Sequence, residues 1–281
     1  MNCRYLTSDN ITAFEQYLCH EEKSAATKEK YLRSIRTFYG WTNGLCVTKE
    51  TVTAWKDSLV EQKYSPATIN TMLAALNRLF IFMGWTECCA KYLKVQRRMF
   101  RESSRELTKE EYTRLVSSAS HCGETKLALL METICSTGIR VSEVKYITVE
   151  ALKTGKAEIR LKGKIRTILI PIKLCRKLLK YAKKQKITSG AVFCTGGGKP
   201  MSRYQIWAAM KKVCKIAGVD PHKVYPHNLR HLFAVAYYHL YKDISKLADI
   251  LGHSSIETTR IYLLTSGTEH RQQLERLGLI S

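Results

Sequence analysis

Tyr262 lies nine residues beyond His253, and between them runs Ser254-Ser255 and then Thr258-Thr259-Arg260-Ile261. Upstream stands Pro226-His227-Asn228-Leu229-Arg230-His231, and further upstream Ser136-Thr137-Gly138-Ile139-Arg140-Val141-Ser142-Glu143. These residue types suit attack on a phosphodiester without a metal. Two arginines can grip the non-bridging oxygens bidentately. A phenol can form a covalent phosphotyrosine. A phenol ordinarily keeps its proton to about pH 10, so a cationic cluster or a histidine base must help remove it. The leaving 5′ oxygen needs a proton donor, which a lysine on a hairpin such as Lys162-Gly163-Lys164 can supply. No cluster of acidic residues suggests a magnesium site, so neither a metal nor another cofactor is expected.

Each pattern alone has a bland reading. Gly138 and Gly252 read as helix C-caps, Arg140 as a surface arginine, and Tyr262, one of fifteen tyrosines, as a core residue. Tyr225, Tyr237, Tyr238 and Tyr241 compete with it as nucleophile, but none follows the Leu251-Gly252-His253 turn. Gly196-Gly197-Gly198 lacks the spacing and the Lys-Ser/Thr ending of a phosphate loop. It is the ordered co-occurrence of the patterns that favours chemistry.

The elements that would position these residues fall into two groups along 281 residues, 45% of them hydrophobic. Lys and Arg number 46 against 24 Asp and Glu, a formal charge of +22. That surplus attracts polyanions, with nucleic acid ahead of an anionic membrane. No apolar run approaches a bilayer span, and no signal peptide is expected at Met1-Asn2-Cys3-Arg4. The ten cysteines, without a Cys-x-x-Cys pair, read as small buried hydrophobes in a reducing, cytoplasmic setting.

Residues 1–95 read as a four-helix bundle. Its helices start at Ser8-Asp9, Thr27, Thr48 and Ser65-Pro66, and the fourth presents Asn70, Thr71, Asn77 and Arg78 on a polar face open to solvent or DNA. Residues 96–106 form a basic linker with Arg97, Arg98 and Arg101. These, with Arg78, are candidate phosphate contacts. Residues 107–281 read as a mixed α+β domain. A helix capped by Thr108 with Glu111 opens it. A hairpin pairs 157–161 with 167–170 around a Lys162-Gly163-Lys164 turn. Helices follow over 202–217, 226–241, 243–251, 255–264 and 269–277. The run from Lys173 to Lys186 is a basic helix face. The fold is thus mainly α with one small sheet.

The set T-G-I-R-V-S-E, K-G-K hairpin, H-N-L-R-H, L-G-H and downstream tyrosine resembles the tyrosine recombinases, the phage-integrase-like site-specific recombinases. The match covers about Leu107 to Leu279, and the preceding bundle resembles the family's core-binding domain. By position, the resemblance makes Arg140 and Arg230 the phosphate-binding arginines and His227 the general acid/base. His253 becomes a third phosphate contact and Tyr262 the nucleophile. Glu143 supports the site from behind, and His231 is structural. Lys162 becomes the hairpin acid. The family's usual Gly-Lys-Gly context is altered here by Leu161, and Lys164 stands as the alternative acid.

The resemblance further implies a clamp on double-stranded DNA and a 3′-phosphotyrosine intermediate that needs no ATP. It implies a homotetramer on DNA, with accessory DNA-bending factors as possible partners, serving integration or excision, inversion or dimer resolution. On the same resemblance the arm-binding domain of larger integrases is not expected in this chain, and the tail helix is expected to pack on a neighbouring protomer. A type IB topoisomerase that relaxes supercoils and a non-catalytic DNA-binding regulator are the alternatives on the same scaffold.

Overall fold

The computed structural model describes residues 4–95, 105–161, 164–262, 271 and 274–277. Two compact units divide the chain, 1–97 and 98–281.

The first unit holds α1 (Ser8–His20), α2 (Ala25–Thr42), α3 (Lys49–Glu61) and α4 (Pro66–Phe82). A Ser or Thr side chain caps each start by accepting from a backbone N–H three residues on: Thr7, Ser24, Thr48 and Ser65. The first cap is therefore Thr7 rather than Ser8, because Asn10 reaches back to the Thr7 amide and completes a capping box. The second helix begins two residues before the expected Thr27. Phe14, Leu18, Ile35, Phe38, Trp55, Leu73, Leu76 and Phe80 fill the core, with Trp55 edge-on to Phe38 at 5.1 Å between ring centroids.

The polar face of α4 is not simply open. Asn77 donates to the Ala90 carbonyl and accepts from its amide, both at 3.0 Å. Asn70 does the same with Leu93, both at 2.8 Å. The two amides thus fasten the segment that follows the helix. Arg78 pairs with Glu21 at 3.1 Å, donates to the Tyr17 hydroxyl and lies 5.4 Å from that ring's centroid. Asn77→Ala removes both bonds to Ala90 and is expected to cost about 1–3 kcal/mol. Urea unfolding followed by tryptophan fluorescence should show the lower midpoint.

The second unit runs α5 (Lys109–His121), α6 (Thr125–Thr137), a 3₁₀ turn (Val141–Tyr146), α7 (Val149–Thr154), β1 (Lys156–Leu161), β2 (Lys164–Leu169), α8 (Ile172–Lys184), α9 (Arg203–Ala217), α10 (Pro226–Tyr241), α11 (Ile244–Leu251) and α12 (Ile256–Arg260). The Thr108/Glu111 capping box opens α5. The two strands pair antiparallel, Leu161 opposite Lys164 and Lys156 opposite Leu169. Lys164 is therefore the first residue of β2 and not part of the turn. Helix α12 ends at Arg260, short of the expected Leu264, so Tyr262 sits just past its end.

The core gathers Leu115, Leu130, Ile134, Ile139, Ile147, Leu178, Phe193, Ile206, Met210 and Leu229. α8 buries Leu174, Leu178 and Tyr181 and turns its lysines outward, where Lys177 holds Glu132 at 2.7 Å. Among the nine described cysteines, all free thiols, only Cys88, Cys175 and Cys214 are buried; Cys19 and Cys122 are exposed, so the expectation of uniformly buried cysteines fails. No described helix is long and apolar enough to cross a membrane. Arg97, Arg98, Arg101 and most of the expected tail helix lie outside the described residues.

Candidate active site

α6 stops because Gly138 turns left-handed, φ 62°. A Cβ there would come within 2.5 Å of the Phe233 ring, so the chain can reverse at this point only with glycine. The reversal delivers Arg140 to the start of the 3₁₀ turn. Glu143, 4% exposed, closes that turn by accepting the Arg140 backbone N–H at 2.9 Å, and its other oxygen accepts from Arg140 Nη1, also at 2.9 Å.

α11 ends at a second left-handed glycine, Gly252, φ 62°. The last carbonyls of a helix have no partner within it and carry the negative end of its dipole. Here three consecutive carbonyls are each taken by an arginine from a different element. Arg166 of β2 donates Nη2 to Ile250 at 2.6 Å, Arg230 of α10 donates Nη2 to Leu251 at 2.8 Å, and Arg140 donates Nη2 to Gly252 at 3.0 Å. Arg230 also donates Nη1 to the Gly138 carbonyl at 2.5 Å. It thereby ties the end of α6 to the end of α11. Arg230 is 2% exposed. Burial, then the charge of Arg140, pulls its guanidinium down to about 10, against the opposing pull of the Tyr262 hydroxyl hydrogen-bonded to it.

The turn after Gly252 presents His253. Its Nε2 lies 3.0 Å from Arg230 Nη2, and its Nδ1 lies 2.8 Å from Thr259 Oγ1. Arginine can only donate, so Nε2 accepts and Nδ1 carries the proton. Burial and the charges of Arg230, Arg140 and Arg166 hold this imidazole down at about 4, which agrees with a neutral ring. His227, in the first turn of α10, is likewise lowered, by burial first and then by Arg230 and Arg203.

Tyr262 is 3% exposed, and its amide bonds to the Thr259 carbonyl at 3.0 Å. Three imidazoles surround its ring. His231 is nearest at 5.0 Å between centroids, His253 stacks at 5.9 Å with 15° between planes, and His227 lies at 6.2 Å. The structure therefore brings together Arg140, Glu143, His227, Arg230, His231, His253 and Tyr262. Lys162 lies outside the described residues, as does the side chain of Lys164; only the strand pairing that flanks them is on view.

A cleft of about 750 Å³ opens beside this cluster. It is lined by Arg140, His227 and Arg230 on one side and by Arg203, Tyr204 and Trp207 of α9 on the other. Sequence reasoning missed these three α9 residues, and it missed Arg166. For α9 the signal was an exposed pair, Tyr204 and Trp207, three apart on one helix face. For Arg166 it was a charge on the inward side of an alternating strand, which must be paired if it is buried.

Residues 105–267 match the Phage integrase family, and residues 11–87 match the Phage integrase, N-terminal SAM-like domain. The chain belongs to the phage integrase family. Tyrosine recombinase XerA of Pyrococcus furiosus is 27% identical over 287 residues, covering 100% of this chain and 98% of that protein. Tyrosine recombinase XerD of Vibrio cholerae is 29% identical over 230 residues, covering 77% of this chain and 76% of that one. The fold matches the Tn1549 transposon integrase in complex with transposon right end DNA, with a TM-score of 0.72 at 19% identity, covering 96% of this chain and 99% of that one. It also matches a lambda integrase tetramer bound to a Holliday junction, TM-score 0.72 at 19% identity, covering 93% and 78%. The chain is thus a tyrosine recombinase, as its motifs led one to expect.

Proposed function

We propose that Tyr262 cuts one strand of a duplex DNA site and holds it as a 3′-phosphotyrosine until a 5′-hydroxyl from a partner strand displaces it. Family membership favours site-specific recombination over the topoisomerase and the silent regulator that the sequence left open. The observation that carries the reading is the convergence of three imidazoles on one buried phenol, with the Arg230 guanidinium anchored beside it on His253.

In the cleavage step the Tyr262 oxygen bonds to phosphorus and the bond from phosphorus to the 5′ oxygen breaks. His227, kept neutral by burial and its cationic neighbours, takes the phenolic proton. The departing oxygen takes a proton from the hairpin lysine, Lys162 or Lys164. Arg140 and Arg230 face the non-bridging oxygens, where negative charge grows. A phosphate that draws the Arg230 donor away from His253 lets the neutral ring give up its Nδ1 proton and carry one on Nε2 instead. With Nδ1 bare, the Thr259 hydroxyl turns to donate to it, so the ring's Nε2–H becomes a third donor to phosphate. The reverse sequence, with a new 5′-hydroxyl attacking, rejoins the strand without ATP, because the bond energy is kept in the phosphotyrosine.

Exchange between two duplex sites needs four such tyrosines, so a tetramer on DNA follows from the chemistry. The lambda integrase tetramer on a Holliday junction supports that arrangement. Integration, excision, inversion and dimer resolution share this chemistry and differ in how the two sites are placed; accessory DNA-bending factors would act at that level. The test is a nicked duplex whose cut fragment diffuses away. Wild-type protein incubated with it in EDTA should accumulate a covalent protein–DNA adduct, and its absence on a cognate site would sink the reading.

The α9 wall of the cleft is the proposed path of the DNA beside the cut. Trp207 is 41% and Tyr204 72% exposed, and Lys211 lies 5.5 Å from the Trp207 ring centroid. Trp207→Ala should weaken duplex binding about tenfold through lost stacking and cation–π contact, with the melting temperature held. Fluorescence anisotropy at fixed salt measures this, and unchanged affinity takes α9 off the path.

A further inference from the structure

β2 places a charge where an alternating strand normally puts an apolar side chain. Ile165 and Leu169 are 68% and 69% exposed, whereas Ile168 is 3% exposed, so Arg166 and Ile168 share the inward face. The Arg166 side chain is 13% exposed. Its Nη1 donates to Glu143 Oε2 at 3.0 Å and its Nη2 to the Ile250 carbonyl at 2.6 Å. Its stem fills the space over Gly252, where any Cβ would collide with Cδ and Nε.

A carboxylate and a guanidinium left to themselves pair side-on through two parallel hydrogen bonds. Glu143 does not do this with Arg140. Its Oε1 takes one side-chain bond from Arg140, at 2.9 Å, while Oε2 is occupied by the Arg140 backbone amide at 2.9 Å and by Arg166 at 3.0 Å. We infer that Arg166 is a positioning residue for phosphate binding: by occupying Glu143 Oε2 it keeps the carboxylate from chelating Arg140, and so leaves Arg140 donors turned into the cleft. The inference rests on reading this site as the one that binds the scissile phosphate.

The charge balance points the same way. Two guanidiniums, those of Arg140 and Arg166, bond to the one carboxylate, and the Arg230 guanidinium lies close enough to feel both their charges, which leaves two positive charges over. A phosphodiester carries one negative charge and acquires a second as the nucleophile adds. Without Arg166, Glu143 would pair fully with Arg140, and a single positive charge, that of Arg230, would face the phosphate.

Removing charge from the DNA separates this role from a merely structural one. A methylphosphonate at the scissile position replaces one charged oxygen with methyl, so the reaction no longer depends on the full arginine clamp. Adduct formation is measured on the nicked duplex with either linkage. Arg166→Met keeps the stem over Gly252 and should slow cleavage of the ordinary phosphodiester about 10- to 100-fold. On the methylphosphonate its deficit should shrink to about threefold, with Arg140→Ala showing the same relief because both lose the same charge stabilisation.

Arg166→Lys keeps charge and stem but has no planar fork to reach both Glu143 and Ile250. It should show the same pattern, and it supplies the reading if the methionine variant does not fold. An Arg166 variant as fast as wild type on the phosphodiester overturns the inference. So does a deficit undiminished on the methylphosphonate while Arg140→Ala is relieved; that outcome leaves the site reading intact. Failure of the wild type to form any adduct strikes the site reading instead.

Discussion

Tyr262→Phe should bind its DNA site normally and form no covalent adduct with it. The substitution deletes one oxygen and leaves the ring, which still stacks on His253 at 5.9 Å and packs beside His231 at 5.0 Å. What is lost is the polar interaction of its hydroxyl with Arg230, worth about 1 kcal/mol to the fold. Cleavage should fall by about 10⁴ or more, the scale on which deletion of a covalent nucleophile acts. Denaturing gels of the nicked-duplex reaction read the adduct, and anisotropy reads binding. Persistent adduct in Tyr262→Phe would move the nucleophile to another phenol. Tyr225 is then first to test, because it lines the same cleft.

Arg140→Ala is expected to uncouple cleavage from binding. Arg140 is 40% exposed in its side chain, is held from behind by Glu143 and the Gly252 carbonyl, and lines the cleft. It is therefore the more open of the two arginines that line the cleft, Arg230 being the more deeply anchored to backbone carbonyls. Loss of one preorganised donor at developing charge costs about 10²–10³ in rate. Duplex affinity, drawn from a chain with 46 Lys and Arg, should change about threefold at most, and the slope of log affinity against log salt by about one. The fold tolerates the change because Glu143 keeps Arg166 as its counter-ion. A collapse of affinity matching the loss of cleavage would show that Arg140 anchors the DNA rather than acting on the phosphate.

Much of this site was legible in the sequence, for physical reasons. Ser and Thr caps, Pro66 at a first helical turn and Gly at helix ends are local signals, so the helices were found within a few residues. The grouping of Arg140, Arg230, His253 and Tyr262 was legible through spacing and resemblance together. What stayed hidden depends on partners far apart in the chain. Asn70 and Asn77 read as a solvated face because nothing local says that Leu93 and Ala90 come back to meet them. His231 was set aside as structural, yet its ring is the nearest imidazole to Tyr262. Arg166 was not singled out at all, and only its inward register, beside the buried Ile168, marks it out. Lys164 was assigned to a turn because a two-residue connection is hard to tell from a three-residue one by residue type.

The three arginines that grip the end of α11 have main-chain oxygens as their receptors, those of Ile250, Leu251 and Gly252. Main-chain atoms are the same in every amino acid. An alanine scan through 250 and 251 would therefore report only lost packing and pass over the anchorage itself. The grip is sensitive instead to the path of the chain: an insertion or deletion of one residue between Ala248 and His253 would shift all three receptors out of register at once. Sequence drift at 250 and 251 is tolerated by the arginines, whereas a side chain at Gly252, which would strike Arg166, and changes in loop length are not.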